Sequence, residues 1–136
     1  MLFRSSAGIS GSPQKISVGG QLIASPAVQA GVSNNVYQPT SAGNFVKINQ
    51  SRMGSLTNQT KTFVSSRPLF SAPLMVNDVL LFGSDDFKLH AASMGGSLLW
   101  SFTTNGKVDS GPSESNGRIY FGSNDGNLYS LSIGAK

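Results

Sequence analysis

The chain has 136 residues, 38% of them apolar and only 12% charged, with 16 Gly and no Cys. That is one domain's worth of chain with enough apolar side chains for a core, which excludes a charged disordered tail, a disulfide scaffold, a thiolate metal site and a pair of independent domains. The net charge is +4, but the cations (Arg4, Lys15, Lys47, Arg52, Lys61, Arg67, Lys88, Lys107, Arg118 and Lys136) stand singly, so no basic stripe marks a nucleic-acid footprint.

Ser, Asn and Gly together supply 49 of the 136 residues, the balance of a turn-rich β protein rather than a helix bundle. The opening residues hold no apolar run of signal-peptide length, and no stretch approaches a bilayer span, so neither a secretory leader nor a membrane span is expected. Localisation stays open, because a Cys-free chain suits either redox compartment.

In chain order, Met1 to Ser12 is a polar arm. Ile16, Ser25-Pro26 and the run Val36 to Ile48 then mark a first repeat over residues 12–49. Residues 50–60 are polar and unpatterned, an inter-repeat loop that with the N-terminal arm could reach a neighbouring subunit. A second repeat, 61–93, carries Phe63, Ser71-Ala72-Pro73 and Leu81-Phe82-Gly83-Ser84-Asp85-Asp86-Phe87-Lys88-Leu89-His90. The third, 96–132, repeats it 39 residues on without a gap: Phe102, Ser110-Gly111-Pro112 and Tyr120-Phe121-Gly122-Ser123-Asn124-Asp125-Gly126-Asn127-Leu128-Tyr129.

A period near 40 built of short apolar runs is the signature of propeller blades, each a four-stranded antiparallel sheet. In the last repeat, Asn105-Gly106, Asn116-Gly117 and Asp125-Gly126 predict hairpins between strands at 97–102, 107–110, 117–122 and 127–131. Asn77-Asp78 and Asp85-Asp86 stand at matching turns of the middle repeat. The expected fold is all-β: a partial β-propeller of about three four-stranded antiparallel blades in a single domain.

Gly96-Ser97-Leu98-Leu99-Trp100-Ser101-Phe102, Ser110-Gly111-Pro112 and Ile119 to Leu131 resemble a repeat of the PQQ-like β-propeller family. The resemblance is close over 71–132 and loose over 12–49. The family's blade-docking pattern A-x-D-x-x-x-G-x-x-x-W is kept at Gly96 and Trp100, with Ser93 where Asp is usual and the run from Ala91 one residue short; Gln14 and Lys61 fall at the Trp-equivalent position. The blade-packing residues expected are Trp100, Phe102, Phe63, Gly83, Gly122, Pro73 and Pro112. Trp100→Ala should then cost about 3 to 5 kcal/mol, and Gly83 and Gly122 should matter alike as backbone positions.

The family's quinone enzymes use an adjacent Cys pair and an acidic calcium site within a full ring, and this chain has no Cys and three repeats. No cofactor, metal site or catalytic residue is therefore expected. The single His, His90, falls in a strand beside Leu89 and Ala91, where a structural or solvent-facing role is expected, and Asp85, Asp86 and Asp125 are read as turn residues.

A closed propeller needs about four to eight blades. Three leave two sheet faces without neighbours, and such faces mark interfaces. The expected function is a non-enzymatic structural or adaptor module with protein partners. It would form a homo-oligomer or dock onto a larger assembly, such as a virion or other multi-subunit particle. The alternative is a fragment of a ligand-binding or catalytic propeller whose site lies in missing blades.

Overall fold

A computed structural model of the chain describes residues 18, 21–22, 24–29, 35–49, 59–64 and 67–132. The N-terminal arm, Gln14, Ile16 and most of the loop 50–60 lie outside them, as does the side chain of Phe63. Strands β1 (Ala27–Gln29), β2 (Asn35–Pro39), β3 (Asn44–Asn49) and β4 (Gln59–Val64) form a first sheet. Strands β5 (Leu74–Val76), β6 (Val79–Gly83), β7 (Lys88–Ser93) and β8 (Leu98–Thr103) form a second, and β9 (Ser113–Ser115), β10 (Arg118–Gly122) and β11 (Leu128–Ser132) a third. Neighbours pair antiparallel in chain order throughout. Among the described residues no helix is long and apolar enough to cross a membrane.

Turn chemistry explains the hairpins. Asn77 and Asp78 (φ 49° and 63°) and Asn116 and Gly117 (φ 52° and 78°) hold the two consecutive left-handed residues of a type I′ turn, which matches the twist of the strands it joins. The next turn in each sheet places one left-handed residue at the same point: Gly43 (φ 86°), Phe87 (φ 73°) and Gly126 (φ 91°). In the middle sheet the left-handed position thus falls on Phe87, the residue 39 places before Gly126. These turns fix which residues correspond: Tyr37, Leu81 and Tyr120 in one row, Phe45, Leu89 and Leu128 in another.

The strand phase differs from the expectation in the last repeat. Leu98–Thr103 does not open the third sheet; it pairs with β7, Ala91 opposite Trp100 and Leu89 opposite Phe102, and completes the second sheet as its outer strand. Residues 107–110 form no strand, and the inner strand is β9, at Ser113–Ser115. Asn105-Gly106 is no hairpin: a Cβ on Gly106 would meet the Asp125 nitrogen at 2.5 Å, so glycine is there to let two backbones approach.

Two apolar layers hold the sheets face to face. Between the first and second lie Ala27, Tyr37, Phe45, Leu69, Leu80, Phe82 and Ala92. Between the second and third lie Leu81, Leu89, Ala91, Val108, Ile119 and Phe121, with Phe102 and Tyr129 packed against them. The middle sheet is therefore apolar on both faces, which is why β6 and β7 read as continuous apolar runs rather than as alternating strands.

Each sheet is entered by a crossing segment, and each segment carries an apolar residue four places before its Pro: Leu22 before Pro26, Leu69 before Pro73 and Val108 before Pro112. The first and last are held alike. Ser41 N donates to Gln21 O at 3.1 Å, and its counterpart Asn124 N donates to Lys107 O at 2.8 Å.

Candidate functional site

Leu69 and Val108 sit in the two apolar layers and are fully buried, whereas Leu22 at the same repeat position is 52% exposed. The reverse holds at the other end of the stack. Leu81 and Leu89 are 1% and 0% exposed beneath the third sheet, and their counterparts Tyr120 and Leu128 are 36% and 75% exposed. By register Tyr120 shares its face with Ser113 and Ser130, and Arg118 shares it with Ser115 and Ser132. The Arg118 guanidinium lies along that face, donating from Nε to Ser130 Oγ (2.8 Å) and from Nη1 to Ser132 Oγ (3.0 Å). The result is an apolar pair beside a fixed cation, open to solvent.

Of the expected packing residues, Phe102 does pack between sheets, edge-on to Phe121 and Tyr129 with ring centroids 6.1 and 5.6 Å apart. Gly83 lies where the next crossing segment passes: a Cβ there would land on the Val108 carbonyl oxygen and within 2.5 Å of Val108 Cγ1. A Cβ on Gly122 would touch only Ser110 Oγ, at 3.3 Å. Pro112 is buried and Pro73 half-buried. Trp100 belongs to neither apolar layer and is 40% exposed. The third sheet has no described fourth strand to lie against it.

A polar seam joins the second and third sheets. Val108 N donates to Ser84 O (3.2 Å), and Thr104 Oγ1 and Ser123 Oγ are hydrogen-bonded at 2.8 Å. The Tyr129 hydroxyl donates to Asp125 Oδ2 at 2.6 Å, holding that carboxyl below the usual range. Lys107 Nζ reaches Asp85 Oδ2 at 3.1 Å, while the buried Asp85 Oδ1 meets no donor. Desolvation, and then the neighbouring Asp85 carboxylate, push the Asp109 carboxyl above the usual range, against a bond from Asn124 Nδ2 (3.0 Å). Two ionised carboxylates offer each other no donor, and a proton on Asp109 supplies one.

An acid whose folded pKa is raised binds more protons folded than unfolded, so stability falls as pH rises from the ordinary Asp value towards the raised one. Asp109→Asn removes that loss. Variant and wild type are therefore expected to draw apart in urea midpoint, in the variant's favour, as pH rises from the ordinary Asp range of about 4. A pH-independent difference would show the pair to be uncoupled from folding.

His90 stands between two partners that sequence reasoning did not supply. Its Nε2 is 2.8 Å from Asp86 Oδ2 and its Nδ1 2.8 Å from Ser101 Oγ. With Asp86 ionised, Nε2–H donates to the carboxylate and Nδ1 accepts from the serine, the connectivity of a nucleophile relay. The same bonds tie the β6–β7 turn, β7 and β8 together. Asp86 Oδ1 also accepts from Lys88 N (3.1 Å), and the Phe82 ring lies 5.4 Å from the imidazole. Ser101 is cross-strand from His90, a relation visible in the sequence only once Leu98–Thr103 is placed in the second sheet. A surface depression of about 540 Å³ lies elsewhere, where the three crossing segments converge, lined among others by Leu22, Phe70, Ala72, Asp109 and Gly111. Among the described residues no group of three or more His, Asp or Glu could hold a metal ion.

No family model matches the sequence, and no curated protein does. The fold has solved counterparts. BamB from Moraxella catarrhalis superposes with a TM-score of 0.60 at 19% identity over 75% of this chain, and the computationally designed protein Ika8 with 0.58 at 13% over 78%. The chain spans 32% of the length of each. It is a partial β-propeller, its three sheets serving as successive blades.

Proposed function

We propose that this chain is a non-enzymatic, PQQ-like propeller module that works by docking protein through the exposed end of its blade stack. The observation that carries the reading is the contrast at matched positions, where the next blade buries Leu81 and Leu89 and nothing in the described chain buries Tyr120 and Leu128. Apolar side chains held in solvent at positions the fold uses for packing fit a protein partner better than a small ligand. The His90 relay is read as a clamp within one blade, because its three members span one turn and two paired strands and none of them lines the depression. A structural place in a virion or another multi-subunit particle is compatible with this reading.

A photo-crosslinking amino acid at position 128, in cells that carry the protein, tests it. A defined polypeptide, identified by mass spectrometry, should be captured at 128 and not from the exposed control position 105. Equal or absent capture at the two positions would overturn the docking reading.

A further inference from the structure

We infer that the covering partner is a second copy of this chain, joined head to tail, with Leu22 of one copy seated over Gly122 and Leu128 of the other. This deepens the docking reading and rests on it. Three observations on matched positions converge. The middle sheet shows what its outward face receives: a crossing segment whose Val108 lies over Gly83, so close that no side chain fits at that glycine, and covers Leu89, which is wholly buried. The third sheet presents the same face without a crossing segment over it: only Ser110 Oγ stands near Gly122, 3.3 Å from where a Cβ would lie, and Leu128 is in solvent. The first crossing segment presents the matching piece, Leu22, at the position of Val108 and Leu69, held by the same backbone contact and 52% exposed.

One end of the blade stack thus displays the socket and the other the plug, in the geometry that Val108 and the second sheet already adopt inside the chain. On the first sheet Val46 and Ile48 are buried within the chain, so the contact is made by the crossing segment rather than by a whole sheet face. Because plug and socket are different surfaces, the contact is heterologous and must either close into a ring or run on. Two copies make the smallest ring in which each plug meets a socket and each socket a plug. The expected species is a closed dimer.

The full-length chain, run at about 50 to 100 μM on size exclusion with light scattering, concentrations at which a micromolar contact is populated, tests this directly. Wild type should run at twice the 14.2 kDa of one copy. Leu22→Asp and Leu128→Asp should each run at the mass of one copy, with unchanged circular dichroism, since both side chains are exposed. Mixing the two should restore the doubled mass, because the intact plug of the Leu128→Asp copy meets the intact socket of the Leu22→Asp copy. Gly122→Val, which fills the socket without adding charge, should also run as one copy and regain the doubled mass with Leu22→Asp. A monomeric wild type, a mixture that stays monomeric, or a Leu22→Asp variant that still dimerises while Leu128→Asp does not, would each overturn head-to-tail pairing. Those results leave the docking reading standing wherever position 128 crosslinks to a different polypeptide, so the two failures can be told apart.

Discussion

Valine in place of Gly83 is expected to lower the unfolding free energy by about 3 kcal/mol or more, the upper part of the range for overfilling a packed site, while the same change at Gly122 costs under about 1 kcal/mol. The two glycines end corresponding strands 39 residues apart, and on sequence they should respond alike. What separates them is the neighbour. At Gly83 the added atoms meet the backbone of Val108, whose nitrogen is tied to Ser84 O at 3.2 Å, so relief requires moving the second blade away from the third. At Gly122 the Cβ meets one side-chain atom, Ser110 Oγ at 3.3 Å, which is bonded to Gly122 N and O but needs to yield by only a few tenths of an ångström. Urea unfolding of both variants, under conditions where the wild type is monomeric, checks the contrast. Equal costs at the two sites would mean that the crossing segment does not sit over Gly83.

The second large effect is expected at Phe82. This ring is fully buried between the first two blades, edge-on to Phe45 with centroids 4.7 Å apart. Phe82→Ala removes the ring from a layer that cannot collapse without pulling two sheets together, and should cost about 3 to 5 kcal/mol. Trp100→Ala, for which sequence reasoning gives the same range, should cost only about 1 kcal/mol, because at 40% exposure its loss opens no enclosed cavity. Finding the larger cost at Trp100 in denaturant unfolding would show that the outer strand of the second blade is covered in solution.

The repeats, the all-β class and the strands β6, β7, β10 and β11 are legible in the sequence, since period and turn chemistry are local signals. The phase of the repeat is not. A unit of 39 residues can be cut anywhere without changing its period, and the cut is decided by which strands exchange hydrogen bonds, β7 with β8 across the Ser93 to Ser97 turn. One misplaced strand hides two further facts. Ser101 belongs beside His90, and Phe102 packs on the third blade while belonging to the second. The socket was out of reach for a different reason. Gly83 and Gly122 look identical in a string of letters, and only the position of Val108 shows that one is filled and the other vacant.

The middle sheet lies between two apolar layers and the third against only one, and this grades the molecule along its stack. The amides of Leu80 to Phe82 and Leu89 to Ala92 lie under two apolar layers and can exchange with solvent only when a whole interface parts, whereas those of β11 lie under one. An isolated copy therefore opens from its C-terminal blade inward. Whatever covers that blade acts on the slowest-opening part of the chain too, because the second blade loses its outer layer only after the third has left.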